Sequence, residues 1–215
     1  CHGYDILDLA RKRNFAEVLF LLFTGELPNP DQARLLETLL IACITPGPRH
    51  PATRAAMNAA VSKTHPAHIL PLAQATNGGP HLGAEEVEAA MRFLRKNLNR
   101  PASEVAAYLQ GESEHREDHA DAHPAPGFGS RFGGIDPLAC NCANLLLTLP
   151  ASGKALHWGN EFAARLNQRN GGWLMTGVVA AALADLGIDA RAGGGLYQLF
   201  SAPGLLAQAM EFANK

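Results

Sequence analysis

Aromatic residues are scarce in this chain, at 7% of 215 residues, and cysteine occurs only four times. Cys140 and Cys142 form a Cys-Asn-Cys step, too tight for a zinc knuckle, and no second pair sits nearby. Together with Cys1 and Cys43 they read as reduced, mostly buried thiols of a cytoplasmic protein. Charge of one sign is also lacking. A net charge of -2 removes the electrostatic case for nucleic acid as a partner. No apolar run approaches the roughly 20 residues that span a bilayer; stretches 18–23 and 145–149 are far too short, so no membrane contact is expected. No basic segment followed by an apolar stretch opens the chain, so no secretory leader is expected. Because the chain begins at Cys1, inside what reads as a structured turn, further residues are expected upstream. Sustained period-two alternation is absent throughout, which excludes a sheet-based fold.

Helical patterning fills the space that strands leave. Hydrophobic residues make up 47% of the chain, enough for a large core. A short helix is expected over 5–11, capped by Asp5. A second covers 14–24, with Phe15, Val18, Leu19, Leu22 and Phe23 at helical spacing and Gly25 ending it. Further helices are expected over 32–44, 51–64, 67–75, 85–97, 101–109, 137–149, 156–167, 173–186 and 196–213. In the helix over 85–97, Val87, Ala90, Met91 and Leu94 share one face. The fold class is therefore all-α.

Three loops set glycine beside polar groups: 77–83, 126–131 and 170–172. Glycine lets a ligand approach the backbone, and free N–H groups can hold an anion or a flat heterocycle, although a glycine-rich turn is more often only a turn. His115, His119 and His123 recur at every fourth residue, so on a helix they would share a face able to hold a divalent metal. A solvated, charge-mixed surface explains the same composition, and no metal is assigned. Trp158 and Trp173 are expected in the core or an interface.

Ordered motifs add a resemblance. The segments His2-Gly3-Tyr4-Asp5-Ile6-Leu7-Asp8-Leu9, Phe15-Ala16-Glu17-Val18 and Gly25-Glu26-Leu27-Pro28 resemble the opening of the citrate synthase and citryl-CoA lyase family. Gly79-Pro80-His81-Leu82-Gly83-Ala84 is similar to that family's GPLHGGA loop. Pro126-Gly127-Phe128-Gly129 followed by Asp136-Pro137 resembles PGFGH…DPR, and the segments 177–187 and 203–208 resemble its last two helices. The short length resembles the citryl-CoA lyase branch more than full-length citrate synthases.

The resemblance implies a citrate-synthase-like multi-helical fold, with a large helical domain (1–84 and 126–215), a small helical domain (85–125), a cleft between them and a homodimer. It also implies a coenzyme A thioester as substrate, with no metal required. Ala125, Pro126, Gly127, Phe128 and Gly129 would wrap the adenine, and Arg131 would meet a phosphate. His81 takes the place of the histidine that holds the thioester oxygen, with one residue missing before it. His50 takes that of a histidine that binds the acceptor, and Arg54 could also reach the cleft. Four other family positions have lost charge or basicity: Ser130 replaces a histidine, Thr176 the general-base aspartate, and Leu138 and Ser201 two carboxylate-binding arginines. Losing a positioned acid or base costs on the order of 10²–10⁴ in rate. Without the arginines a tricarboxylate would keep buried, unpaired charge, so citrate is a poor candidate. Two readings follow. The first is an enzyme that makes or breaks a carbon–carbon bond on another substrate, with Ser130, His50 or a carboxylate such as Glu85 in altered acid–base roles. The second is a catalytically silent subunit that binds CoA or a partner.

Overall fold

The computed structural model describes residues 1–113, 123–166 and 171–213, with only the backbone described for 110–113. Among the described residues the fold is helical, as the patterning requires. The helices are α1 (Ile6–Lys12), α2 (Phe15–Thr24), α3 (Pro30–Ala42), α4 (Pro51–Val61), α5 (Pro66–Asn77), α6 (Ala84–Asn97), α7 (Ala102–Ser113), α8 (Pro137–Leu147), α9 (Lys154–Leu166), α10 (Met175–Asp185) and α11 (Ala190–Ala213). The only strands among the described residues are β1 (Phe128–Gly129) and β2 (Gly172–Trp173), an antiparallel pair with Phe128 opposite Trp173. No described helix is long and apolar enough to cross a membrane.

One device starts four of the helices. Asn29-Pro30, His50-Pro51, His65-Pro66 and Asp136-Pro137 each place a capping side chain immediately before a proline. Proline at the first helical position has no N–H to leave unpaired, and it forces its predecessor into the extended backbone that an N-cap needs. Asn14 and Asn29 each complete a reciprocal capping box, with Glu17 and Gln32. The start of α9 is held from a distance: Asp185 accepts from the N–H groups of Gly153 (2.8 Å), Ala155 (2.7 Å) and Leu156 (3.0 Å).

The last helix departs most from the sequence expectation. It begins at Ala190 rather than Leu196 and continues past Pro203. Three consecutive glycines weaken local helix propensity, but packing outweighs that loss. A Cβ on Gly193 would collide with Met91 Sδ, and one on Gly194 would lie 2.7 Å from the Ala84 carbonyl. Glycine is what lets α11 lie against α6. At Pro203 the helix has no donor to give, and the next N–H, that of Gly204, is bonded to the Ile44 carbonyl at 2.9 Å.

Buried apolar residues form two clusters. The larger draws on α2, α3, α6 to α10 and the first half of α11, through residues such as Leu39, Leu94, Phe128, Phe162, Val178 and Phe200. It also contains Val87, Val105 and Ala125, so these described residues of 85–125 are buried together with the helices on either side. The smaller cluster joins α4, α5 and the end of α11 through Ala52, Ala56, Ala60, Ile69, Leu205 and Ala209. Its alanines allow close helix approach. Pro203 falls between the α11 residues of the two clusters. Trp158 and Trp173 are buried as expected, stacked among Phe93, Phe128 and Phe162.

Candidate functional site

A buried carboxylate ties three of the motif segments together. Glu86, in the first turn of α6, is 4% exposed. Its Oε2 accepts from the Leu82 N–H at 2.9 Å and from the Thr176 hydroxyl at 3.0 Å. Its Oε1 accepts from His123 Nδ1 at 2.6 Å and from the Gly127 N–H at 3.3 Å. The loop before α6, the loop before β1 and the start of α10 therefore meet on one side chain. Burial alone would raise the pKa of Glu86. The hydrogen bond and charge of His123, with the Gly127 and Thr176 donors, outweigh it and hold the carboxyl below its ordinary range. The sequence reading named Glu85, which is exposed, and missed Glu86. A signal existed: Glu86 lies four residues before Ala90 and eight before Leu94, on the apolar face of α6.

Above Glu86 the chain makes a tight, strained turn. Leu82 has φ +58°, a conformation rare for a γ-branched residue. Three hydrogen bonds hold it there: its N–H to Glu86, and its carbonyl from His50 Nε2 at 3.0 Å and from the Tyr197 hydroxyl at 3.4 Å. The following Gly83 cannot carry a side chain, since a Cβ would sit 2.8 Å from the Asn77 carbonyl and collide with that of Gly79.

A cavity of about 20 Å³ lies beside this turn, room for about one water. His50, Leu82, Arg131, Leu138, Thr176 and Tyr197 line it, and Thr45, Pro46 and Met175 close it. It therefore sits where the α3–α4 connection and α11 meet the start of α10. The expected site residues distribute unevenly around it. Thr176, 1% exposed, and His50, 3% exposed, both line it. His50 is nevertheless not free for acid–base work. Its Nδ1 accepts the Ala52 N–H at 3.2 Å as the N-cap of α4, which leaves the proton on Nε2, facing the Leu82 carbonyl. Burial lowers its pKa, and the nearby Arg131 and His81 charges add to that, so the ring is neutral at pH 7. Tyr197 is pushed up by burial and stays protonated.

His81 is exposed and does not line the cavity. It stacks on His123 with ring centroids 4.8 Å apart, and Leu82 takes the inward position. Ser130 is buried but does not line the cavity either. Arg131 lines the cavity and pairs through Nη1 with Asp136 Oδ2 at 3.1 Å. Ala125, Gly127, Phe128 and Gly129 are buried and Pro126 is half-buried. Several of their backbone groups are already used: Gly127 N–H on Glu86, Gly127 carbonyl on Leu174 N–H, and Phe128 N–H on the Ala125 carbonyl. Gly127 (φ +78°) presses so closely on Gly177 that a Cβ on either would collide with the other's backbone. Ser201 accepts from Asn77 Nδ2 at 2.8 Å and so links α5 to α11. Among the described residues no group of three His, Cys, Asp or Glu side chains is placed to share a metal. His115 and His119 lie outside the described residues.

The family model for the citrate synthase C-terminal domain matches residues 1–132. The chain belongs to the citrate synthase family. No curated protein matches it significantly by sequence. Among solved structures, citryl-CoA lyase from Hydrogenobacter thermophilus superposes with a TM-score of 0.80 at 23% identity, covering 100% of this chain and 82% of that one. An ATP citrate lyase from Methanosaeta concilii, in complex with (3S)-citryl-CoA, gives 0.74 at 18% identity over 97% of this chain and 36% of its own. Citrate synthase from Thermoplasma acidophilum, in a ternary complex with carboxymethyl coenzyme A and oxaloacetate, gives 0.68 at 16% identity, covering 94% and 52%. At these identities the likeness is one of fold. Family membership rests on the residues 1–132, which include the Glu86 loop, His50 and Arg131.

Proposed function

We propose that this citrate synthase family protein binds a coenzyme A thioester and acts on a carbon–carbon bond beside the thioester carbonyl, with an acid other than ordinary citrate. The supporting observation is the convergence of loop 79–83, loop 125–129 and the start of α10 on Glu86, beside a cavity that Thr176 lines. In this reading the thioester lies at the Leu82 turn. CoA runs along the 125–129 loop, with half-buried Pro126 as the contact for its adenine. Proton transfer goes through Thr176. As a proton leaves the carbon for the Thr176 oxygen, the hydroxyl proton moves to Glu86 Oε2, so each proton has an acceptor. A carboxyl held below its ordinary range is a weak base, and the expected rate is low. Leu138 and Ser201 offer no cation, which leaves Arg131 as the charged group on the cavity wall.

A 20 Å³ cavity admits no thioester without opening. We place that movement between the two buried clusters, about Pro203 inside α11, a boundary other than the 1–84 plus 126–215 and 85–125 division that the resemblance implies. Exposed Ile6, Leu7, Phe15, Leu22, Phe23 and Ile41 on α1 to α3 support a partner face, and a second copy of the chain is the proposed occupant. The four free cysteines suit a cytoplasmic setting.

A second reading, a catalytically silent binding subunit, draws on the state of His50: both ring nitrogens are engaged and the ring is neutral. Deuterium exchange into the methyl group of acetyl-CoA separates the two. Exchange above the protein-free rate, lost in Thr176→Val and kept in Thr176→Ser, supports the enzyme. CoA binding with exchange at the protein-free rate supports the silent subunit. No binding of CoA at millimolar concentration removes both.

A further inference from the structure

We propose that the groove between α6 and the start of α11 is a binding site for a small phosphate-bearing polyanion of the diphosphate class. The groove has a volume of about 420 Å³ and is lined by Arg92, Arg95, Lys96, Asp189, Ala190 and Arg191. That volume lies in the range of small-molecule sites, roughly 300–1,000 Å³. It shares no residue with the cavity at Leu82 or with the 125–131 loop, so the inference stands apart from the CoA reading.

Charge carries the argument. The chain as a whole has a net charge of -2, yet four cations and one carboxylate line this groove. Arg92 is committed to Glu88 at 2.6 Å. The ion pairs among the described residues include none of Arg95, Lys96 or Arg191. Asp189 is occupied with the backbone, accepting the Arg191 N–H at 2.9 Å. Arg92, Arg95 and Lys96 are spaced three and four residues apart on α6, where like charges repel. An anion that bridges them relieves that repulsion.

The walls are fixed before any ligand arrives. Gly193 and Gly194 seat α11 against Met91 and Ala84 of α6, with no room for a side chain. Arginines from two helices then face one space, and each guanidinium can offer two parallel N–H donors to phosphate oxygens. Two linked phosphates fit two such forks better than a single point charge does.

Calorimetric titration of the full chain with inorganic diphosphate, in buffer of physiological ionic strength, tests the proposal. One saturable site is expected, weakened at least tenfold in Arg95→Ala/Arg191→Ala and unchanged in Arg11→Ala on the separate helix α1. The substituted residues are exposed, and far-UV circular dichroism checks that the variants fold. ATP in a second titration distinguishes a nucleotide from free diphosphate as the source of the phosphates. No saturable heat with either probe would overturn the proposal, as would binding that the double variant leaves intact. Equal binding of polyglutamate would overturn it in favour of an acidic protein partner.

Discussion

Replacing Glu86 with glutamine removes one charge and turns one acceptor into a donor, while the four groups around it stay as they are. All four donate: the Leu82 and Gly127 N–H groups, the Thr176 hydroxyl and His123 Nδ1. The glutamine amide oxygen can serve one pair; its NH₂ then faces the backbone N–H of the other pair donor to donor, while the Thr176 hydroxyl or His123 Nδ1 there can turn to accept. Removing one member of a buried, hydrogen-bonded ion pair costs about 3–5 kcal/mol, of which the lost hydrogen bond to the charge accounts for about 1.5–3 kcal/mol. Urea unfolding followed by circular dichroism measures this directly. Glu85→Gln, on the exposed neighbour, should stay within about 0.5 kcal/mol of the wild type. The pH dependence supplies a second check. The folded pKa of Glu86 lies below its unfolded value of 4.5, so its contribution is complete above that value and lost as pH falls through the folded pKa. The gap between wild type and Glu86→Gln should be full at pH 7 and shrink only below pH 4.5. A loss under about 1 kcal/mol, or a gap that is constant down through the acid range, would refute the idea that this carboxylate joins the three loops.

Three further outcomes follow from the packing. Gly177→Val should destabilise by about 3 kcal/mol, the upper end for overpacking, because the new side chain meets the Gly127 backbone, which cannot yield as a flexible side chain would; thermal unfolding reads this. Asp185→Ala should cost about 1.5–3 kcal/mol by leaving three N–H groups at the start of α9 without their acceptor, and Asp185→Asn should recover part of it. Under native conditions a thiol reagent should label exposed Cys1 quickly and half-buried Cys140 slowly. It should leave buried Cys43 and Cys142 untouched, since burial pushes the Cys142 thiol up to about 11 and Cys43 higher still.

Most of the helices were readable because their signals are local. Asn14, Asn29, His50 and Asp136 each announce a start within four residues, and Gly25 announces an end. Where the reading fell short, contacts distant in sequence decided the outcome. The patterning predicts the last helix only from residue 196, and the contact of Gly193 with Met91 and of Gly194 with Ala84 explains how α11 starts earlier. Family motifs led to His50, Arg131 and Thr176, and all three line the cavity. The same motifs suggested His81, yet in this loop, one residue shorter before the histidine, Leu82 lines the cavity and His81 stacks on His123. Glu86 escaped notice because its four donors come from residues up to 90 positions away. Its place on the apolar face of α6 was the available clue.

Titration of the protein with acetyl-CoA, set beside a titration with citrate, tests most directly the claim that a thioester-gripping scaffold persists around a cavity without the usual arginines. Saturable heat with acetyl-CoA and none with millimolar citrate is the expected pair of results. Silence with acetyl-CoA, or tighter binding of citrate than of the thioester, would contradict it.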